Sequence, residues 1–122
     1  MRTFIFLLLS SIVWIACNDA ADSNAEYMEA TDCSGISPTY TADVAPILNT
    51  NCALSGCHTA LSPSHGLNLQ GYQVVKTTFD QHKLLCAINH GSDCNAMPKN
   101  QPQLPEADIL TITCWAKNGF PQ

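Results

Sequence analysis

Two cysteines and a histidine stand close together in residues 52–58, which read Cys-Ala-Leu-Ser-Gly-Cys-His. Two thiols can add across the two vinyl groups of a porphyrin, and an imidazole directly after the second thiol can reach the iron. The usual spacing for this chemistry is Cys-x-x-Cys-His. Here four residues separate Cys52 from Cys57, so the segment predicts covalent haem attachment by a wider motif, with His58 as the proximal iron ligand.

A second iron ligand is expected from the segment Asn-Ala-Met-Pro-Lys, whose methionine, Met97, lies 39 residues after His58. Met97 is the only methionine beyond residue 28, and the segment is irregular enough to bring a thioether over the opposite haem face. Thioether ligation raises the reduction potential and suits electron transfer. His90, which precedes a glycine, is the second candidate for this position. The remaining histidines are expected on the surface or in loops: His65 and His82.

The N-terminus has the pattern of an export signal, predicted over residues 1–16. Residues 4–16 form an apolar run of 13 residues after Arg2, too short for a membrane span, which needs about 20 residues. The run ends in Ile-Ala-Cys, which resembles the lipobox of bacterial lipoproteins and implies lipidation of Cys17 as the new N-terminus. Trp14 departs from that pattern. The alternative is an ordinary thiol near a conventional cleavage site or within an uncleaved anchor.

The net charge of −5 is concentrated near this N-terminus. Residues 18–32 hold five acids and no basic residue, whereas the chain from Cys33 onward has four lysines and five acids. We therefore expect residues 17–36 to be a lipidated N-terminus and flexible acidic tether, followed by a nearly neutral domain over residues 37–122. Without a basic patch, nucleic-acid binding is not expected.

Export also decides how seven cysteines are interpreted, because free thiols rarely persist in an oxidising compartment. Assigning Cys17 to lipid and two cysteines to haem leaves four, which allow two disulfides in three pairings. Cys86 and Cys94 bracket a short loop and are expected to pair, which leaves Cys33 with Cys114. Three disulfides would account for six cysteines equally well.

Helix and loop signals dominate residues 37–122. We expect a short helix over residues 41–52 capped by Asp43, with Pro46 in its first turn. Breaker residues predict a loop over 59–70 and an irregular segment over 90–103. Residues 71–89 suit two short helices, and residues 105–118 suit a longer one whose C-terminal cap is Gly119. The fold class predicted is mostly α, with long loops.

The order of these motifs resembles a class I c-type cytochrome, and more narrowly the small single-haem lipoprotein domains of bacteria. The resemblance covers about residues 40–121. Its motifs are these: Val-Ala-Pro-Ile-Leu at 44–48, the cysteine motif at 52–58, Gly-Leu-Asn-Leu at 66–69, Met-Pro at 97–98, and Trp115 to Gly119.

The resemblance implies a small helical domain wrapped around one covalent haem c, held by Cys52, Cys57, His58 and Met97. The free ring nitrogen of His58 is expected to donate to a loop carbonyl near Pro63. No arginine follows residue 2, so haem propionates would need other donors. The candidates are lysine side chains, the side chains of Trp115 and Tyr72, backbone amides and water, although Trp115 is better explained as core.

The implied function is electron transfer in the bacterial envelope, on the periplasmic or cell-surface side, by a lipid-anchored protein that serves an unidentified redox partner. No nucleophile and base stand together, so neither an enzyme nor a small-molecule substrate is expected. One alternative is a disulfide-stabilised binding or structural lipoprotein without haem. A weaker alternative is a metal site built from Cys52, Cys57, His58 and another histidine.

Overall fold

The computed structural model describes residues 19–122, with side chains from residue 23 onward. Its helices are α1 (Asp19–Ala30), α2 (Ala45–Asn51), α3 (Tyr72–Gln81), α4 (Leu84–Ile88) and α5 (Glu106–Lys117). A wide turn, Tyr40–Val44, leads into α2, and a single 3-10 turn covers Ser64–Gly66. Within this range no strand forms, which confirms a mostly α fold. The predicted signal peptide, residues 1–16, and Cys17 lie outside the described residues.

None of the helices described is both long enough and apolar enough to span a bilayer.

The entry to α2 begins earlier than the sequence predicted. Thr39 caps the Tyr40–Val44 turn, because its hydroxyl accepts a hydrogen bond from the amide of Ala42. Asp43 is therefore not the cap. Its carboxylate instead accepts from the Thr39 amide at 2.7 Å, so the two residues cap each other reciprocally. Pro46 lies in the first turn of α2, as expected.

The predictions for the second half of the domain are confirmed. Residues 71–89 form two short helices, α3 and α4, and residues 90–103 are irregular. Helix α5 has Glu106 and Asp108 in its first turn and Lys117 in its last, the arrangement that suits the helix dipole. Asn118 is the C-cap of α5, and Gly119 follows it with a φ of +83°, a conformation that favours glycine.

Residues 19–30 differ from the flexible tether that was predicted. They form α1, which packs against α3, α4 and α5. Asn24 is 2% exposed, while Tyr27 and Met28 pack against the core and Glu26 and Glu29 point to solvent. Acidic composition suggested a solvated segment, but Glu26 and Glu29 lie on the exposed side of a helix whose other side packs against the core.

The core is centred on Trp115, which is completely buried in α5. Four aromatic rings surround it with centroids 5.0 to 6.4 Å from its own: Tyr40, Tyr72, Phe79 and Phe120. Most of these pairs are edge-to-face, the arrangement that aromatic quadrupoles prefer. Aliphatic side chains from α2, α3 and α4 complete the same cluster. One continuous core therefore supports all the elements that carry candidate site residues.

Both predicted disulfides are present. Cys33 is bonded to Cys114, which joins the segment after α1 to α5 across 81 residues of sequence. Cys86 is bonded to Cys94 across 8 residues, which closes the loop that contains His90. The described cysteines that remain as free thiols are Cys52 and Cys57.

Candidate haem-attachment site

The two free thiols lie in a loop that we call the attachment loop, residues 52–69. Cys52 ends α2, where its amide donates to Leu48 at 2.9 Å, and its side chain packs in part against the core. Cys57 is exposed, and its amide donates to the carbonyl of Leu54. Helix α2 thus fixes the first thiol, and a turn presents the second to solvent.

The surroundings of the first thiol keep it protonated. Burial raises the pKa of Cys52 to about 11, and the neighbouring Cys57 contributes in the same direction. Desolvation disfavours the thiolate because the low-dielectric surroundings stabilise a charge poorly. Among the groups described, no cluster of three or more His, Cys, Asp and Glu side chains has the geometry to hold a metal ion.

Backbone hydrogen bonds hold the wider Cys-x4-Cys spacing in a closed turn. The amide of His58 donates to the carbonyl of Cys52 at 3.2 Å, so residues 53–57 form a bulge between them. Gly56 lies in this bulge with a φ of +79°. Ser64 and Leu69 donate to the carbonyls of Cys57 and His58 respectively. The attachment loop is therefore held mainly by its own backbone.

The imidazole of His58 has a defined orientation. Its Nδ1 lies 3.1 Å from the carbonyl oxygen of Leu67, and since a carbonyl can only accept, Nδ1 carries the proton. Nε2 is then the unprotonated nitrogen, the form that binds a metal. The expected loop carbonyl is confirmed, but the acceptor is Leu67 rather than the neighbourhood of Pro63. Pro63 instead forms an isolated backbone bridge with His58.

Met97 lies in a second segment, residues 90–98, which we call the methionine segment. The Met97 side chain is half-buried, and its amide donates to Ala87 of α4 at 2.9 Å. The carbonyl oxygen of Met97 lies 3.1 Å from Nε2 of His90. The two candidates for the second iron ligand are thus in contact with each other, and one ring nitrogen of His90 is already engaged.

The attachment loop and the methionine segment meet through the core. Within residues 19–122 no hydrogen bond joins them directly. Leu48 of α2 and two residues of α4, Leu85 and Ile88, belong to the same buried cluster, with Cys52 packed against it. The structure places the four predicted haem residues on two segments that share one hydrophobic support.

Two predicted donors for haem propionates are already engaged within the protein. The Trp115 indole N–H donates to Pro121 at 2.7 Å, and the Tyr72 hydroxyl donates to Phe120 at 2.8 Å. The assignment of Trp115 to the core is confirmed, since its side chain is completely buried. The predictions for His65 and His82 hold, since both are exposed.

A shallow surface groove of about 340 Å³ lies between α3 and the attachment loop. Its lining includes Leu67, the acceptor for His58, together with Val74 and Thr78 of α3. Neither cysteine of the motif nor Met97 lines it. The groove therefore borders Leu67, whose carbonyl holds Nδ1 of His58.

Sequence reasoning missed two residues that support the site. The Gly-Leu-Asn-Leu motif at residues 66–69 had been recognised, but its role in holding His58 through Leu67 had not. Asn24 carried no motif at all, yet its side chain makes three hydrogen bonds to the junction between α3 and α4. A lone asparagine in a polar stretch gives no sequence signal of this kind.

Comparison of the chain with protein-family models, with curated proteins and with solved structures found no match.

Proposed function

We propose that this chain is a single-haem c-type cytochrome that transfers electrons while anchored to a membrane in the bacterial envelope. The observation that carries the proposal is the selective state of the cysteines. Cys52 and Cys57 are free, although four other cysteines of the same domain are paired in disulfides. In an exported protein such thiols need another use, and the histidine that follows them supplies one.

The chain's own residues fit haem c. Cys52 and Cys57 supply the two thiols for thioether bonds, one fixed by α2 and the other at the surface. His58 supplies an imidazole whose Nδ1 is held by Leu67, which leaves Nε2 for the iron. When bound, haem supplies one-electron chemistry at a potential set by its axial ligands. The protein's part is to attach, orient and partly shield it.

Met97 is the sixth ligand in this proposal. Its thioether is half-buried, and its backbone is held at both the amide and the carbonyl. His90 is the second candidate, since Nε2 of its ring holds the Met97 carbonyl and Nδ1 alone would be left for a metal. His58 and Met97 together would supply two ligands to the iron, and such ligation would suit an electron carrier rather than an enzyme.

Co-expression with a bacterial cytochrome c maturation system tests the proposal. We expect a red protein that retains haem on a denaturing gel, with both porphyrin vinyl groups saturated in its alkaline pyridine spectrum. Cys52→Ala and Cys57→Ala should each leave one vinyl group free, and the double variant should retain no covalent haem. A colourless, folded wild-type protein under these conditions would contradict the proposal.

The same preparation separates the proposal from a haem-free disulfide protein. If Cys52 and Cys57 formed a third disulfide, alkylation of the unfolded, unreduced chain would label neither cysteine. We expect instead that neither cysteine of the haem-loaded protein is labelled even after complete reduction, because a thioether is not reduced, whereas a third disulfide would release both thiols for labelling. The mass of the labelled peptide identifies the cysteines.

The membrane anchor is proposed from the sequence at Cys17. Intact-mass analysis of the mature protein tests it, because lipidation predicts a chain that begins at Cys17 and carries acyl mass. A chain that begins elsewhere, or one without acyl mass, would remove the anchor from the proposal and leave the haem assignment intact.

A further inference from the structure

The backbone of Met97 is held on both sides by the end of α4. Its amide donates to the Ala87 carbonyl at 2.9 Å. Its carbonyl lies 3.1 Å from Nε2 of His90, two residues after α4 ends. Both the amide and the carbonyl of Met97 therefore have partners within the protein. These partners lie in α4 and just after it, so α4 determines the position of Met97.

The contact with Met97 determines the protonation of the His90 ring. A carbonyl oxygen can only accept a hydrogen bond, so Nε2 of His90 carries the proton and donates it. A nitrogen that carries a proton has no lone pair for a metal. Only Nδ1 of the half-buried His90 ring keeps a lone pair in this tautomer, and the Nε2 contact already serves the methionine segment by holding the Met97 carbonyl.

The backbone of His90 supports the same interpretation. His90 has a φ of +54°, a left-handed conformation that disfavours residues with a Cβ and that usually suits glycine after a helix. Gly91 is the next residue, and its amide donates to the carbonyl of Cys86, which is also bonded through its side chain to Cys94. His90 thus occupies a backbone conformation in which glycine would be less strained, and its side chain contacts the Met97 carbonyl.

We propose that His90 is a positioning residue for Met97, which fixes the peptide after Met97 and so keeps the thioether on the haem iron. The inference rests on the proposed function, because it assigns a role around the sixth ligand. It replaces the simpler alternative in which His90 is itself a ligand.

Two substitutions separate the hydrogen bond from the backbone strain. Asparagine tolerates a positive φ but is too short to reach the Met97 carbonyl, whereas glutamine retains a donor of longer reach. In the ferric holoprotein, His90→Asn should bind added imidazole about tenfold more tightly than wild type, equivalent to about 1.4 kcal/mol. The imidazole affinity of His90→Gln should lie closer to that of wild type. Equal imidazole affinities of the two variants, or tighter binding by His90→Gln than by His90→Asn, would overturn the proposal.

The far-red ferric absorption band of methionine ligation gives a second readout. It should persist in His90→Asn, with a weaker intensity that falls further as imidazole is added, and it should disappear in Met97→Ala. Loss of the second axial ligand in His90→Asn together with its retention in Met97→Ala would make His90 the ligand and overturn the proposal.

His65 offers a matched control. It also has a left-handed backbone, with a φ of +53°, but lies exposed in the attachment loop. His65→Asn makes the same chemical change at the same backbone geometry, so it should leave imidazole affinity unchanged. An equal effect of both substitutions would show that the His90 contact is not responsible.

Measurements on the haem-free chain distinguish failure of this inference from failure of the proposed function. Nitrogen NMR of the wild-type protein should find His90 protonated at Nε2, and His90→Asn should accelerate hydrogen exchange at the Met97 amide. Wild-type protein that never binds haem contradicts the proposed function. An Nδ1-protonated His90, or unchanged Met97 exchange, contradicts the role of His90.

Discussion

The attachment loop and the methionine segment are held in different ways. In the attachment loop the hydrogen bonds that orient His58 connect it to Cys52, Leu69 and, through its ring, Leu67. The methionine segment takes its support from α4, and α4 in turn depends on α1 through Asn24. One region is stabilised by residues near it in sequence, and the other by a chain of contacts that reaches back more than 60 residues.

Because of this difference, the attachment loop and the methionine segment should respond differently to substitutions elsewhere in the domain. A local hydrogen-bonded loop needs only its own residues and an anchoring helix, so it tolerates changes elsewhere. A segment supported by distant packing responds to any change in the elements that carry it. We therefore expect the attachment loop to persist when α1, α4 or the disulfides are perturbed, and the methionine segment to loosen first.

The largest expected effect concerns the two disulfides. In the chain-entropy description, opening Cys33–Cys114 costs about 4.5 kcal/mol for its 81-residue separation, and opening Cys86–Cys94 about 2.5 kcal/mol for its separation of 8. Paired alanine substitutions, followed by denaturant unfolding without reductant, measure both. Loss of Cys33–Cys114 should lower the free energy of unfolding of the whole domain. Loss of Cys86–Cys94 should lower it less and should accelerate hydrogen exchange selectively at the Met97 amide. Equal costs would contradict this assignment.

The second effect concerns Asn24. Its amide group donates to Phe79 and His82 and accepts from the amide of Leu85, bonds of 2.7 to 3.0 Å at a site that is 2% exposed. Because Asn24→Ala removes all three bonds, the free energy of unfolding should fall by about 3 kcal/mol. Hydrogen exchange should rise more at the Met97 amide than at the Leu69 amide, which belongs to the attachment loop.

Asn118→Ala is the matched control for Asn24→Ala. The Asn118 amide donates one hydrogen bond to Ile36 from an exposed position. Its loss should cost well below about 1 kcal/mol and should leave the Met97 amide unaffected. If Asn24→Ala were no more costly than this control, α1 would not support the methionine segment.

The same division explains which features could be predicted from sequence. The helices of residues 71–118 follow from local signals such as Pro105, the acids after it and Gly119. The loop over residues 59–70 was predicted from its breaker residues, which include Pro63 and Gly66. The disulfide pairing followed from the count of cysteines and from the short interval between Cys86 and Cys94.

The features that were missed depend on distant partners. Helix α1 was predicted as a tether because its acids are visible in sequence, whereas the burial of Asn24 depends on an α3–α4 junction 55 residues or more away. The His58 acceptor was placed near Pro63 because proline marks a loop, but the orientation of each carbonyl in a loop depends on how it folds back. Leu67 follows a glycine with a φ of +75°, which turns the chain toward His58.

A third prediction concerns pH and distinguishes free from attached Cys52. In the haem-free protein burial raises the pKa of this thiol from 9.0 to about 11, so the unfolded chain loses the proton first. The associated stability is present below about pH 9 and is lost as the pH rises toward 11, by about 2 to 3 kcal/mol in total. Urea unfolding at a series of pH values measures this loss.

Cys52→Ser in the haem-free protein provides the reference for that pH series. Burial also raises the pKa of Tyr40, so both proteins lose further stability at high pH, and the difference between them isolates Cys52. In the holoprotein a thioether has no proton to lose, so its pH profile should match that of the serine variant. A haem-loaded protein that keeps the full Cys52-dependent loss would contradict attachment at this residue.

The smallest effects come from two glycines, one in each region. A Cβ at Gly91 would collide with the Tyr27 hydroxyl of α1 and lie 2.8 Å from Sγ of Cys86, which its disulfide prevents from yielding. Gly91→Ala should therefore cost about 2 kcal/mol by overpacking. Gly56 faces open space and has a φ of +79°, so Gly56→Ala should cost about 1 kcal/mol from backbone strain alone. Thermal unfolding of both variants measures the two losses of stability. A greater loss in Gly56→Ala than in Gly91→Ala would contradict the distinction between a region held by distant contacts and one held by its own backbone.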